Sequence, residues 1–220
     1  DISFGIYLPK EFITNQQIEQ WGIQTKSGKL LTAQGIDEKI EISRRFRVNG
    51  YESTIDMGIQ AALAAGSLED VTEIIVSTSY PLGKNVSHEI GVHLKIQPNF
   101  NLDIHAACSG FVRGLAYMKE HEEEFQGKKV LFVTTEKYSH TLADLEKGGI
   151  ALDPSMSQTI FSDGAAASVF TFGEDIKVLE FQNVKLPKES DRYILMPIDK
   201  AFMIPPFLQV SRPLRYSKAH

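Results

Sequence analysis

The run EIIVSTS over residues 73–79 sets Ile74, Ile75 and Val76 side by side, with no polar residue between them. It is too short for a helix and lacks the alternation of a strand with one wet face, so it reads as a strand buried on both sides. Such a strand requires helices above and below its sheet. The stretch STIDMGIQAALAAG (53–66) supplies one: Ser53 and Asp56 have capping-box spacing, Ile55, Ile59, Ala62 and Leu63 share a face, and Gly66 ends it. TNQQIEQW repeats the start signal with Thr14 and Gln17, while SHEIGVHLKI (87–96) and the segment 109–124 carry the helical period. Further strand-like runs are ISFGIYLP (2–9), NLDI (101–104), KKVLFVTTE (128–136) and the pair QTIFSD and AAASVFTF, hinged at Gly164. The stretch 22–36 is punctuated by Gly, Ser and Thr and reads as a loop. Strands alternating with helices predict an α/β protein with a mixed, mostly parallel sheet and flanking helices.

The end of the chain breaks this rhythm. IKVLEFQNVKLP (176–187) reads as a strand like the one at the start, but residues 196–220 carry four prolines and no period. With 220 residues, a net charge of −5 and no basic block at either end, the chain has no nucleic-acid footprint. No run of about 18 apolar residues occurs and the start does not resemble a signal peptide, so the chain reads as soluble, with no membrane association. Its single cysteine allows no internal disulfide, which fits a reducing, cytoplasmic setting.

That cysteine, Cys108, falls between the strand 101–104 and the helix that follows. A thiol attacks as its thiolate, and the free amides of a helix N-terminus favour the anion. The small neighbours Ala106, Ala107, Ser109 and Gly110 leave room for a sharp turn and for an approaching acyl chain. The same position also suits a cysteine acting as a small buried hydrophobe. An α/β-hydrolase elbow fits less well, because it requires glycine two residues before the nucleophile and Ala106 stands there. No cysteine pair or H-x-x-x-H spacing points to a metal.

The segment DIHAACSGF resembles the nucleophile segment of the β-ketoacyl-acyl-carrier-protein synthase III family, thiolase-fold condensing enzymes that start fatty-acid and some polyketide chains. FITNQQIEQ, EDVTEIIVSTSYP and FSDGAAASVF resemble three further family segments in the same order, so the likeness covers residues 2–182. It implies a thiolase-like fold in which 1–174 form the N-terminal half and 175–220 the beginning of a second, truncated half. Ile194-Leu195-Met196-Pro197 is similar to a family stretch in that region. The resemblance further implies an acyltransferase. Cys108 would take an acyl group from a CoA or carrier-protein thioester, with its own backbone N–H as half of an oxyanion hole, before condensation with a malonyl-type thioester. The thioesters are substrates, and no separate cofactor is implied. The family's histidine and asparagine for the second step lie in H-Q-A-N-like and G-N-T-S-like motifs, neither of which occurs in these 220 residues. A homodimer is implied as well, with the strand 101–104 pairing with its two-fold mate and the loop after Tyr80-Pro81 reaching the partner's pocket.

The sequence also departs from the family. DEKIEISRRFR (37–47) has Lys39 and Ser43 where coenzyme A-using members carry an aromatic residue and an arginine. Arg44 and Arg45, with Arg47, suit either a phosphopantetheine phosphate and an acidic carrier protein or a solvated basic turn. His140, in EKYSHT, aligns near a position where the family often has arginine, and is a substrate-lining candidate or a loop residue. His105 reads as packed or solvent-facing; His88, His93 and His121 carry no assigned chemistry. Two other functions stay open: a thiolase-fold acyltransferase that does not condense, and a non-catalytic condensing-enzyme subunit.

Overall fold

The computed structural model describes residues 1–24, 28–40, 44–48, 52–79, 83–139, 146, 160–180 and 208–211. They fall into two compact units. One comprises Asp1–Ile2, Asp70–Phe132 and Val169–His220, the other Ser3–Glu69 and Val133–Ser168.

The second of these begins with β1 (Ser3–Tyr7), β2 (Glu11–Thr14) and α1 (Asn15–Gln20). Thr14 and Gln17 cap α1 reciprocally, as their spacing predicts. A loop over 22–36 does not hold throughout, because α2 occupies Ala33–Ile40. Its start signal is Thr32, whose hydroxyl accepts the Gly35 amide at 3.0 Å. The apolar residues Ile13, Ile18, Ile23, Leu31 and Ile36 form a small core here, with Trp21 against it. β3 (Arg44–Arg47) pairs antiparallel with β2, Phe12 opposite Phe46. No apolar period marks β3, and cross-strand pairing alone makes Arg-Arg-Phe-Arg a strand.

α3 (Thr54–Ala64) carries the reciprocal Ser53–Asp56 cap, but its buried face differs from the expected one. Thr54, Met57, Gly58, Ala61 and Ala62 are buried, whereas Leu63 is exposed. Gly5 of β1 gives the reason: a Cβ there would lie 2.1 Å from the Ala61 carbonyl oxygen and 2.3 Å from the Ala65 nitrogen. Helix backbone rests directly on strand backbone, and only a stripe of small residues permits that approach. The other face of β1 points outward, leaving Phe4 70% and Ile6 69% exposed, and Leu8, just past the strand, is 52% exposed.

The first unit holds β4 (Glu73–Ser77), α4 (Val86–Leu94), β5 (Phe100–Ile104), α5 (Gly110–Glu120), α6 (Glu122–Phe125) and β8 (Leu208–Ser211). It also holds the first part of β6 (Lys129–Glu136) and the last part of β7 (Gly164–Thr171). Its strands run in the order β7-β6-β4-β5-β8. All five residues of β4 are buried, which is the two-faced burial that EIIVSTS predicts. β4 and β5 are parallel, Ile75 opposite Leu102. The core gathers Ile75, Leu102, Ile104, Tyr117, Phe125 and Phe132 among its members, each worth about 1.5–3 kcal/mol when fully buried. The expected helix 109–124 is broken at His121, where φ −116° and ψ 37° leave the helical region. In the second unit the strand order is β1-β7-β6.

Three strand expectations change. Residues 161–163, at the end of QTIFSD, are not a strand, because Asp163 is drawn into side-chain bonds described below. Over 176–180 the chain makes one isolated bridge, Ile176 to Phe172, and no strand. The outer edge of β5, which the resemblance gives to a two-fold mate, is occupied by β8 in antiparallel register.

Glu73, at the start of β4, is 4% exposed, and burial pushes its carboxyl up to about 7 although Lys128 pulls the other way. The folded state therefore keeps this proton up to about pH 7, while the unfolded chain releases it near 4.5. Between those values the folded state binds more protons, so stability falls as pH rises and the full penalty is present above about pH 7. Glu73→Gln is expected to stabilise the protein by about 1–3 kcal/mol at pH 8 and to have little effect at pH 4, read from urea melts at both. Equal effects at the two pH values would refute this.

Candidate active site

β5 ends at Ile104, and the chain reaches α5 through a short 3-10 turn, Ala107–Ser109, with the exposed Cys108 at its centre. Ala107 has φ 45°, a left-handed conformation that a residue with a Cβ adopts at a cost of about 1 kcal/mol or more. The turn is held by Ala106, whose carbonyl accepts the Ser109 amide at 3.0 Å and the Ser109 hydroxyl at 2.7 Å. These bonds project Cys108 from a constrained backbone and do not bury it as a small hydrophobe.

Two glycines then lay α5 against the sheet. A Cβ on Gly110 would lie 1.7 Å from the Ser77 hydroxyl oxygen, at the end of β4, and one on Gly114 would lie 2.2 Å from the Phe132 ring. Phe111 stacks edge-on to Phe132 at 4.9 Å. The glycine of A-C-S-G-F is thus required by close approach, and it sets the helix N-terminus beside the cysteine.

The strand ends that carry the turn are tied together. The Thr78 amide donates to the Ile104 carbonyl at 3.0 Å, and the Nδ1 of His105 donates to the Thr78 carbonyl at 3.0 Å. His105 is part-buried and acts as a strap between the ends of β4 and β5, with its Nε2 buried and without a hydrogen-bond partner among the described residues. Asp103, 1% exposed, accepts the amides of Val86 at 2.7 Å and Ser87 at 2.8 Å, fastening the start of α4 to β5. Burial raises its carboxyl pKa, against which these bonds and the neighbouring His105 act. Asp103 was not singled out in the sequence; an acidic residue inside an apolar strand is the signal that marks it.

Arg44 is exposed, its guanidinium 5.2 Å from the Phe12 ring centroid. Arg45 is fully buried and donates to Asn15, so solvent-borne phosphate does not meet it. Arg47 pairs with Glu146 at 3.8 Å. His140 and the Tyr80-Pro81 loop lie outside the described residues. His93 and His121 bond carbonyls one turn back, at 2.8 and 2.9 Å, and the His121 ring stacks on Tyr117. Among the described residues no three His, Cys, Asp or Glu side chains are grouped to hold a metal ion, and no helix is long and apolar enough to cross a membrane.

A second acidic clamp was also unforeseen. Asp163, in F-S-D-G-A-A-A and 1% exposed, accepts the amides of Val48 at 2.8 Å and Ser139 at 2.7 Å, and that of Tyr138.

A buried parallel strand, a strained turn presenting one cysteine and a helix seated on glycines make up the surroundings of Cys108. Comparison with known proteins supports the family resemblance and the thiolase-like fold. Residues 102–185 match the family model described as 3-Oxoacyl-[acyl-carrier-protein (ACP)] synthase III. The β-ketoacyl-[acyl-carrier-protein] synthase III of Aquifex aeolicus is 31% identical over 181 residues, which cover 79% of this chain and 53% of that protein. The solved 3-oxoacyl-[acyl-carrier-protein] synthase III from Aquifex aeolicus aligns with TM-score 0.60 at 28% identity, covering 79% of this chain and 53% of that one. A priming β-ketosynthase from the R1128 polyketide pathway aligns with TM-score 0.61 at 26% identity, covering 76% and 48%. The chain is similar to β-ketoacyl-acyl-carrier-protein synthase III proteins, and it spans about half the length of the curated relatives it matches.

Proposed function

We propose that this chain supplies the acyl-loading half of a 3-oxoacyl-acyl-carrier-protein synthase III-like acyltransferase. The thiolate of Cys108 attacks the carbonyl carbon of a CoA or carrier-protein thioester, forming an S–C bond and a tetrahedral oxyanion. The Cys108 amide N–H is one donor to that oxyanion. Collapse of the intermediate breaks the donor's C–S bond, and the departing thiolate takes up a proton, leaving an acyl-cysteine. Condensation with a malonyl-type thioester, in fatty-acid or polyketide synthesis, needs the histidine and asparagine motifs that these 220 residues do not contain. The observation that carries the reading is the exposed Cys108 on the strained turn between β5 and α5.

The remaining parts of the reading are finer. Arg44 is the arginine of its pair presented to a phosphopantetheine phosphate or an acidic carrier protein, and His140 is a candidate for lining the substrate. Residues 1–174 form the N-terminal half and 175–220 the start of the second. The apolar stripe Phe4, Ile6 and Leu8 supports a half-fold that packs against further structure. A cytoplasmic homodimer is the expected form, in line with the prevalence of closed two-fold assemblies.

The test is to incubate the protein with a panel of acyl-CoA and acyl-carrier-protein thioesters and to map adducts by peptide mass spectrometry. One acyl increment on the peptide containing Cys108, absent in Cys108→Ala, is expected. An increment elsewhere, or labelling that survives the substitution, would overturn the assignment.

A further inference from the structure

β4 and β5 run parallel with Ser77 opposite Ile104, and the ladder stops where the chain turns off toward Cys108. In a parallel ladder a residue bonds the two neighbours of its opposite number, donating to one carbonyl and accepting from the other's amide. Thr78 keeps the first of these bonds, its amide donating to the Ile104 carbonyl at 3.0 Å. The second falls to a side chain. The Thr78 carbonyl accepts from the Nδ1 of His105 at 3.0 Å, in the place that the Ala106 amide would fill if the strand continued. A carbonyl oxygen only accepts, so the proton must sit on Nδ1. Nε2 is buried without a partner among the described residues, and the hydrogen bonding of the ring to them therefore runs through Nδ1 alone.

We propose that His105 is a positioning residue for acyl loading, its Nδ1–H completing the ladder where the backbone leaves it and so fixing the turn that aims the Cys108 amide at the oxyanion. The turn is tied to β4 on both sides, before it by His105 on Thr78 and after it by Gly110 seated on Ser77. Between the two ties stands Ala107 at φ 45°, and a strained conformation of this kind persists only where its surroundings hold it. The Cys108 amide belongs to the peptide group that follows Ala107, so relaxation of Ala107 turns that donor directly. A misplacement of about 1 Å at a reacting centre costs on the order of 10² in rate. The inference rests on the acyl-loading reading and adds to it the residue that holds the oxyanion donor in place.

The experiment compares the wild-type chain with His105→Leu and His105→Asn. Leucine and asparagine have the same outline, but only asparagine carries N–H groups where Nδ1 stands. Two rates are measured on each protein by mass spectrometry. One is acyl loading of Cys108 from acetyl and octanoyl thioesters of CoA and of an acyl carrier protein, and the other is alkylation of Cys108 by iodoacetamide. Loading passes through an oxyanion, whereas in alkylation the sulfur displaces iodide from a tetrahedral carbon and no oxyanion forms. His105→Leu is expected to load about 10–100-fold more slowly while alkylating within about twofold of wild type, and His105→Asn to recover loading to within about threefold. Leucine loading at the wild-type rate, or loading and alkylation falling by the same factor, would overturn the inference and leave the acyl-loading reading standing. A wild-type protein that alkylates but takes no acyl group would overturn both. If circular dichroism shows the leucine variant unfolded, asparagine decides: loading slowed by about tenfold or more rejects the inference.

Discussion

Cys108→Ser is expected to slow acyl loading from a thioester donor by about 10³-fold or more while leaving the melting temperature almost unchanged. The two halves of this result have separate causes. Cys108 is exposed, so its replacement by an oxygen of similar reach removes no packing, and surface changes of this kind usually stay within about 0.5 kcal/mol. The chemistry changes far more. A serine hydroxyl stays neutral without a dedicated base, and the nearest histidine in sequence, His105, already gives its Nδ1 proton to Thr78. Parallel thermal melts and measurements of the rate of acyl loading from a thioester donor test both halves. Serine retaining a tenth or more of the wild-type rate would remove Cys108 as nucleophile. A large fall in melting temperature would make the cysteine structural.

Asp163→Ala is expected to be the most destabilising single change among the residues described, at about 3–4 kcal/mol. The carboxylate is buried and accepts three backbone amides, two of them at 2.7 and 2.8 Å, from Val48 and from Tyr138 and Ser139. Removing it leaves all three donors without their acceptor in a place water does not reach. Asp163→Asn keeps one carbonyl oxygen and turns an NH₂ toward at least one amide, so its cost falls between alanine and wild type. Chemical denaturation of the three proteins is the measurement. A loss under about 1 kcal/mol for alanine would mean the amides find other partners.

The aspartates show where sequence reading ended. Asp103 and Asp163 are isolated acidic residues in apolar or small-residue stretches, and nothing local says which amides they hold. Their partners lie up to 115 positions away, as for Asp163 and Val48. Arg45 behaves in the same way. Three arginines in four residues look like a basic surface, yet pairing β3 with β2 turns the middle one inward to Asn15.

What the sequence determined by itself is what short-range physics controls. Capping boxes at Thr14 and Ser53 start helices because each donor and acceptor lies within one turn of the other. EIIVSTS is a doubly covered strand because an unbroken apolar run has no wet face to offer. Cys108 at a helix mouth was legible from its small neighbours and from the family resemblance. The tertiary structure decided the rest. The large apolar residues of α3 give way to Ala61 and Ala62 because Gly5 brings two backbones into contact. Residues 208–211 become a strand because β5 offers an edge, and a four-residue segment beside prolines has no strand signal strong enough to announce it. In each case the deciding partner is far away in sequence, where no local pattern records it.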